Sequence, residues 1–320
     1  MHPIVRLGLR LASLPIFSVK KNYTLLRRAK EAFAAEPEEE ERDGFILMDE
    51  YLLDGDRESH RPVRVFIPKE ELSQGLIIYL HGGGFVTGTV DSYTLPCARL
   101  ATSTGRVVCS IDYRLAPEYP FPDGLEDALA ISKELSDYFL DLGDPIFRPL
   151  TIMGDSAGAN LATTTARLMN EENHRSNLDL QILLYPAVSD DYSEHSPFPS
   201  FHEKGSRYGL TAQKMREYYE LYLPDPALMK DPRVSPLRAE DLSILPPALI
   251  ITAEHDPLRD EGQFYAERLR ESGVPTESSC YAGVPHGFFG HPNVFPEKNE
   301  VLYAQVAAFM NRWEPQDARK

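Results

Sequence analysis

A serine flanked by glycines, standing where an apolar run gives way to a helical pattern, constrains the fold of this chain most. Residues 150–153 predict a buried strand, and the sequence G-D-S-A-G follows directly at 154–158. A strand-to-helix turn this tight has no room for side chains at its two glycines, and it projects the Ser156 hydroxyl above the sheet. The helix that begins there directs its N-terminal amides, that of Ala157 first, toward developing negative charge. The segment therefore predicts a nucleophilic serine at a sheet edge.

Three consecutive glycines form a second segment with chemical meaning. The sequence H-G-G-G-F occupies 81–85, directly after the apolar run 76–80. Because glycine leaves its amide unobstructed, we expect Gly83 and Gly84 to join Ala157 in binding a tetrahedral oxyanion, at roughly 3 kcal/mol per donor. A phosphate-binding loop is the alternative, but neither G-K-[ST] nor G-x-G-x-x-G follows.

A serine nucleophile needs a base that accepts its proton. We predict His286 for this role, because it lies in the glycine-rich loop 283–288, just after the last predicted strand. A histidine on such a loop reaches the carboxyl edge of a parallel sheet. The competing histidines lie in polar or cap sequence or adjoin the predicted acid: His174, His195, His202 and His255.

A carboxylate must hold the tautomer of that histidine. We predict Asp256, which follows the apolar run 249–252 and precedes Pro257. Three neighbouring acids are alternatives that would instead cap the next helix or stay solvated: Glu254, Asp260 and Glu261.

Short apolar runs alternate with helical patterns along the chain, which is typical of a mostly parallel sheet flanked by helices. The predicted strands are 63–67, 76–80, 107–111, 150–153, 182–185, 249–252 and 279–281. The predicted helices are 125–139, 159–169, 211–223, 259–271 and 299–313. We predict a catalytic domain at 46–188 and 238–320, a cap insertion at 189–237, and N-terminal cap helices with a linker at 1–45. Both cap segments would roof the site and exclude water.

Charge and cysteine content limit the partners. A formal net charge of −16 disfavours nucleic acid and anionic membranes, and a neutral or cationic small substrate is easier to accommodate. No stretch approaches the roughly 20 apolar residues that span a bilayer, so we expect no stable membrane insertion. Arg6 and Arg10 interrupt the apolar N-terminus, which argues against a signal peptide. The three cysteines lack metal-binding or disulfide spacing, so we expect no metal and a cytoplasmic location.

Four ordered motifs together resemble the hormone-sensitive-lipase-like family, the family IV bacterial carboxylesterases of the α/β-hydrolase superfamily. HGGG, GDSAG, DPLRDEG and HGF occur between Tyr79 and Phe288. The resemblance implies an α/β-hydrolase fold with a helical cap and a cofactor-free serine carboxylesterase for short- to medium-chain acyl esters. It implies Ser156 as nucleophile, His286 as base and Asp256 as its orienting acid. A homodimer formed through the last strand and helix is a further expectation from the family.

Aromatic and aliphatic side chains suit the wall of an ester pocket, although the same residues also suit an ordinary core. The pocket candidates are Phe85, Val188, Tyr208, Leu210, Met215, Tyr218, Tyr219 and Phe288. Two other functions stay open at this point. One is an amidase or deacetylase acting on an N-acyl or drug-like substrate, and the other is a noncatalytic ligand receptor on the same fold.

Overall fold

The computed structural model describes residues 1–53, 60–70, 72–172 and 178–313 of the chain. Within these residues the strands are β1 (Phe45–Leu53), β2 (His60–Pro68), β3 (Leu76–Leu80), β4 (Val107–Ile111), β5 (Leu150–Asp155), β6 (Leu180–Leu184), β7 (Ala248–His255) and β8 (Thr276–Pro285). The helices are α1 (Pro3–Ala12), α2 (Val19–Ala32), α3 (Glu39–Arg42), α4 (Thr94–Thr104), α5 (Asp123–Leu142), α6 (Ala157–Glu171), α7 (Pro199–Lys204), α8 (Ala212–Tyr222), α9 (Arg259–Glu271) and α10 (Pro296–Asn311).

The described strands form one sheet in the order β1-β2-β4-β3-β5-β6-β7-β8. β2 pairs antiparallel with β1 and with β4, while all the other neighbours in the sheet are parallel. Every residue of β3, β4, β5 and β6 is buried, as expected for parallel strands that helices cover on both faces. The prediction of a mostly parallel sheet flanked by helices is confirmed.

Every predicted strand overlaps an observed one, but the sequence patterns missed several elements, among them β1 and α4. In β1, the apolar residues Ile46, Leu47 and Tyr51 are exposed, so this edge strand lacks the alternation that a half-buried strand displays. In α4, a proline, threonines and a serine obscure the helical pattern. This helix is stabilised by the burial of Leu95 and Leu100 rather than by propensity.

The N-terminal helices pack against the inserted segment. α2 contacts α8, and the first turn of α2 is capped by a carboxylate from that helix. The Ser18 hydroxyl and the Val19 amide both donate to Glu217, which satisfies groups that a helix N-terminus leaves unpaired. Thr211 caps α8 by accepting a hydrogen bond from the Lys214 amide. The two segments predicted to form the cap are therefore joined directly.

Arg27 attaches α2 to the body of the protein. Its guanidinium donates to the carbonyl oxygens of Val86 and Ala116 and pairs with the carboxylate of Glu118. Val86 follows the glycine-rich loop, so this arginine links the N-terminal helix to that loop. In the described part of the chain, no helix combines the length and the apolarity that a membrane crossing requires.

Candidate active site

The turn between β5 and α6 holds the predicted nucleophile in a strained conformation. Ser156 has φ 56° and ψ −117°, a backbone region that side-chain-bearing residues rarely adopt. A Cβ at Gly154 would lie 2.4 Å from the carbonyl group of Gly158, and a Cβ at Gly158 would lie 2.0 Å from the carbonyl oxygen of Leu80. Both glycines are therefore required by close backbone approach.

The three predicted triad side chains lie within hydrogen-bond distance of one another. Nε2 of His286 is 2.8 Å from Oγ of Ser156, and its Nδ1 is 2.8 Å from Oδ2 of Asp256. Asp256 directly follows β7 and His286 directly follows β8, so two neighbouring parallel strands deliver both side chains to the same sheet edge. Asp256 is fully buried, and its second oxygen accepts the amide of Leu258, which fixes the carboxylate against the imidazole.

The alternative acids and bases have other contacts. Glu254 accepts the amide of Gly283, and Asp260 accepts that of Ser200 and pairs with Arg259. Glu261 is buried and accepts the amides of the loop after β6. Among the histidines, the ring of His255 stacks on Tyr208, Nε2 of His202 contacts the Ser196 carbonyl, and His195 is exposed. His174 lies outside the described residues.

The glycine-rich loop presents amides toward the same cavity as Ser156. Gly83 has φ 138° and Gly84 has φ 64°, conformations that favour glycine. A Cβ at Gly83 would lie 1.8 Å from the Thr87 carbonyl oxygen, and one at Gly84 would lie 2.3 Å from the ring of Tyr218. Both glycines line the cavity, and within the described residues neither amide donates a hydrogen bond.

A buried carboxylate supports this loop from below. Asp155 accepts hydrogen bonds from the hydroxyls of Tyr79 and Tyr93 and from the amide of Gly82. Burial raises the pKa of Asp155, while these hydrogen bonds act in the opposite direction. The arrangement ties the residue before the nucleophile to the start of the glycine-rich loop, so the two parts of the site are held together.

His81 is part of this support. Its ring stacks on Tyr113 at 4.4 Å and on Tyr93 at 5.7 Å. Burial lowers the pKa of His81 to about 4, so the imidazole is neutral at pH 7. A neutral, stacked ring suits a side chain that supports the loop.

A cavity of about 490 Å³ opens above Ser156 and His286. Five of the eight predicted pocket residues line it: Phe85, Leu210, Met215, Tyr218 and Tyr219. One face of α2 forms another wall, through residues that follow helical spacing: Leu26, Ala29, Lys30 and Phe33. The N-terminal helices were predicted to roof the site, but these residues were not identified as its wall. Their spacing places them on one face of the helix.

Three predicted pocket residues lie elsewhere. Val188 is fully buried beneath the site, with its amide bound to Glu261. Phe288 is fully buried among aromatic rings, 5.6 Å from that of Tyr185. Tyr208 stacks on His255. None of the three lines the cavity, because Val188 and Phe288 are turned into the core and the Tyr208 ring packs on His255 at the end of β7.

Side chains that could ligate a metal ion do not cluster among the described residues. No group of three or more histidine, cysteine, aspartate or glutamate side chains is placed to hold a metal ion there. The residues that line the cavity include Ser156, His286, the two glycines Gly83 and Gly84, and Lys30.

Known proteins have sequences similar to that of this chain. A family model described as alpha/beta hydrolase fold matches residues 77–290. The chain belongs to the hormone-sensitive-lipase-like family of α/β-hydrolases. It is 37% identical over 256 residues to ethyl acetate hydrolase from Pseudomonas putida, covering 79% of each protein. It is 36% identical over 262 residues to an arylesterase from Saccharolobus solfataricus, covering 82% of this chain and 81% of that protein.

Solved structures in the family have the same architecture. The hyperthermophilic esterase from the archaeon Pyrobaculum calidifontis superposes with a TM-score of 0.80 at 35% identity, covering 97% of both chains. A carboxylesterase cloned from a metagenomic library, EstE1, superposes with a TM-score of 0.78 at 33% identity, covering 93% of this chain and 99% of that one. The α/β-hydrolase fold of the family is thus confirmed across nearly the whole chain.

Proposed function

We propose that this protein is a serine carboxylesterase that hydrolyses short- to medium-chain acyl esters through an acyl-enzyme on Ser156. Carboxylic ester hydrolysis is the activity named for its relatives. The observation that carries the proposal is the continuous series of contacts, each 2.8 Å, from Asp256 through His286 to Ser156. The series ends at a cavity wall, where a substrate carbonyl can reach the hydroxyl.

Acylation begins when Oγ of Ser156 attacks the ester carbonyl carbon. Nε2 of His286 takes the hydroxyl proton, while Asp256 holds Nδ1–H and stabilises the imidazolium. The carbonyl oxygen becomes an oxyanion, which accepts hydrogen bonds from the amides of Gly83, Gly84 and Ala157. Collapse of this intermediate breaks the bond to the alcohol oxygen, which leaves with the proton from the imidazolium.

Deacylation repeats these steps with water. His286 removes a proton from water as the water oxygen attacks the acyl carbon of the ester on Ser156. The same amides stabilise the second oxyanion. Collapse returns the proton to Oγ of Ser156 and releases the carboxylic acid, so no cofactor enters the proposed cycle.

The cavity supports the chain-length part of the proposal. Its volume of about 490 Å³ falls in the lower part of the range for small-molecule sites, roughly 300–1,000 Å³. Phe85, Met215 and Tyr219 offer apolar contacts to an acyl chain on the wall formed by the glycine-rich loop and α8. A short or medium chain buries well in such a space, whereas a long chain would extend out of it.

Two alternative functions share the fold. An amidase or deacetylase would use the same triad, so a paired ester and anilide with the same acyl group distinguishes it by the ratio of the two rates. A noncatalytic receptor would bind an ester and release it intact. The hydrogen-bonded triad and the unpaired loop amides favour catalysis over simple binding.

The test is hydrolysis of p-nitrophenyl esters from acetyl to hexadecanoyl by the wild type and Ser156→Ala. We expect the highest kcat/KM for short or medium chains and a loss of at least about 10⁴-fold in kcat for the variant. Ser206→Ala, on the exposed cap surface, is the matched control and should keep wild-type rates. More than a tenth of the wild-type activity in Ser156→Ala would contradict the proposal.

We also propose a homodimer in a reducing cytoplasm. β8 is at the end of the sheet and pairs only with β7 among the described strands, and such an edge can pair with a second copy. Cys97 and Cys109 are buried and unbridged, and Cys280 is exposed and unbridged, which suits a reducing compartment. Light scattering after gel filtration tests the dimer, and a mass of one chain across the concentration range would contradict it.

A further inference from the structure

One basic side chain stands in the wall of the substrate cavity. Lys30 lines the cavity that holds Ser156 and His286, on the face of α2 that also carries Leu26 and Phe33. Its neighbours on that face are apolar, and a lysine in such a place usually extends its ammonium to bulk water. Here the side chain remains accessible, but the space that it faces is the cavity.

Lys30 has no partner among the described residues, whereas three other cations of the cap do. Lys20 pairs with Glu220, Arg27 pairs with Glu118, and Lys214 donates to two backbone carbonyls. No hydrogen bond or ion pair of Lys30 occurs in that part of the chain. An accessible ammonium without a protein partner can form an ion pair with an anionic group of a ligand in the cavity.

The electrostatics of the cavity agree with this placement. Surrounding protein atoms lower the pKa of Lys30, and its charge acts on Asp155 and on the rings of His81 and His291. Among the described residues that line the cavity, Asp155 is the one acidic residue and Lys30 is the one lysine or arginine. The Asp155 carboxylate is fully buried and already bound by tyrosine hydroxyls and an amide. It therefore leaves Lys30 free to meet a ligand.

We propose that Lys30 makes this cavity selective for esters that carry a carboxylate, with monoesters of dicarboxylic acids as the substrate class. The inference rests on the proposed esterase function and names its substrate. The ester carbonyl would lie at Ser156, and the free carboxylate would form a charge-assisted hydrogen bond with Nζ of Lys30. The attraction between Lys30 and the carboxylate acts at short range. It opposes the long-range repulsion of anions by the formal net charge of −16.

The experiment compares two esters of similar length, monoethyl adipate and ethyl hexanoate, by titration of the released acid. Monoethyl esters from succinate to suberate then locate the best spacing between the carboxylate and the ester. The quantity measured is the ratio of kcat/KM for the acidic ester to that for the neutral ester. It is determined for the wild type, Lys30→Met, Lys30→Arg and the control Lys21→Met, which alters an exposed lysine of the same helix outside the cavity wall.

We expect Lys30→Met to lower this ratio about tenfold, the effect of losing one charge-assisted contact. Lys30→Arg keeps the charge and should keep the ratio within about threefold of the wild type, and Lys21→Met should leave it unchanged. Added salt should lower the wild-type ratio by screening the ion pair. Equal losses for both esters in Lys30→Met, or an unchanged ratio, would overturn the proposal.

A binding measurement separates this inference from the esterase function. Adipate should raise the melting temperature of the wild type more than hexanoate does, because a ligand that binds only the folded state stabilises it. Lys30→Met should lose that difference. If adipate stabilises the wild type but no ester is cleaved, the esterase proposal fails while the anion site stands. If neutral esters are cleaved and adipate gives no Lys30-dependent stabilisation, only this inference fails.

Discussion

The turn that carries Ser156 and the cap that covers it are built in opposite ways. At the turn, two glycines of one short motif fix the geometry, because a Cβ at Gly154 would meet the Gly158 carbonyl and a Cβ at Gly158 would meet the Leu80 carbonyl of the neighbouring strand. In the cap, residues about 200 positions apart do so, since Glu217 of α8 accepts the hydroxyl and amide at the start of α2. The residues of the proposed chemistry are therefore marked by short motifs in the sequence, whereas the residues that shape the pocket are placed by long-range contacts that no motif marks.

Because the two regions differ in this way, we expect substitutions in them to change different kinetic constants. Changes at the sheet edge should lower kcat, because they remove interactions made in the transition state. Changes in the cap should act mainly on KM, because they alter the walls that hold the substrate. Variants at both places test whether effects on kcat and effects on KM separate in this way.

The largest of these effects is expected from Asp256→Asn. Loss of the carboxylate favours the wrong tautomer of His286, so kcat should fall about 10⁴-fold with little change in KM. Steady-state kinetics with a p-nitrophenyl ester measures it, and Glu254→Gln, a neighbouring acid that binds only the Gly283 amide, is the control. A loss of less than tenfold in Asp256→Asn would show that another acid orients the histidine.

Next in size is the effect of Gly83→Ala on the glycine-rich loop. The new Cβ would lie 1.8 Å from the Thr87 carbonyl oxygen, so the loop must shift and move its amides away from the oxyanion. We expect kcat to fall about 100-fold, as when an oxyanion donor is lost. Gly143 also has a positive φ, 66° against 138° at Gly83, but a Cβ there meets no atom within 4 Å, so Gly143→Ala controls for alanine at a positive φ without a clash. Equal kinetics in both variants would count against the role of the loop.

A smaller effect is expected from Arg27→Met, which detaches α2 from the carbonyls of Val86 and Ala116. We expect KM to rise roughly fivefold, because the wall formed by α2 loosens, while kcat changes less than twofold. Arg28→Met, at an exposed position of the same helix, is the control. A fall in kcat without a rise in KM would mean that the cap takes part in the chemical step.

The smallest effect concerns the pH dependence of stability through Glu261. Burial raises the pKa of Glu261 to about 8 from its ordinary 4.5, so the folded state holds this proton more tightly than the unfolded chain does. Its contribution to stability is therefore complete below pH 4.5 and is lost as the pH rises through 8, on the order of 1 kcal/mol between pH 7 and 9.

Thermal unfolding of Glu261→Gln measures this contribution. The variant should lose less stability between pH 7 and 9 than the wild type does, because glutamine carries no titrating proton. Glu267→Gln, exposed on the same helix, should follow the wild type. Parallel curves for all three proteins would mean that Glu261 does not titrate in this range.

The parts of the fold that sequence patterns predict are those with local signals. The buried strands β3 to β7 and the turn at Ser156 carry apolar runs and glycines that admit few other structures, and the four motifs name the residues that the structure brings together. Their catalytic roles stay predictions. The pocket was harder to predict, because whether Phe288 or Leu210 faces the cavity depends on packing between distant elements rather than on neighbours in sequence.

Positions in the cap were even harder to predict from local sequence patterns. The N-terminal residues were expected to roof the site, yet nothing local marks Lys30 as a wall residue, since its position depends on the contact between α2 and α8. Edge strand β1 was missed because its apolar side chains face solvent, where periodicity carries no information about a core.

Covalent trapping of the nucleophile tests directly whether Ser156 attacks the substrate. The wild type and Ser156→Ala are incubated with a short-chain p-nitrophenyl phosphonate, and the product is examined by intact-mass and peptide mass spectrometry. We predict one phosphonyl group per wild-type chain, on the peptide that contains Ser156, and no label on the variant. Stoichiometric labelling of another residue, or of Ser156→Ala, would contradict the account of this site.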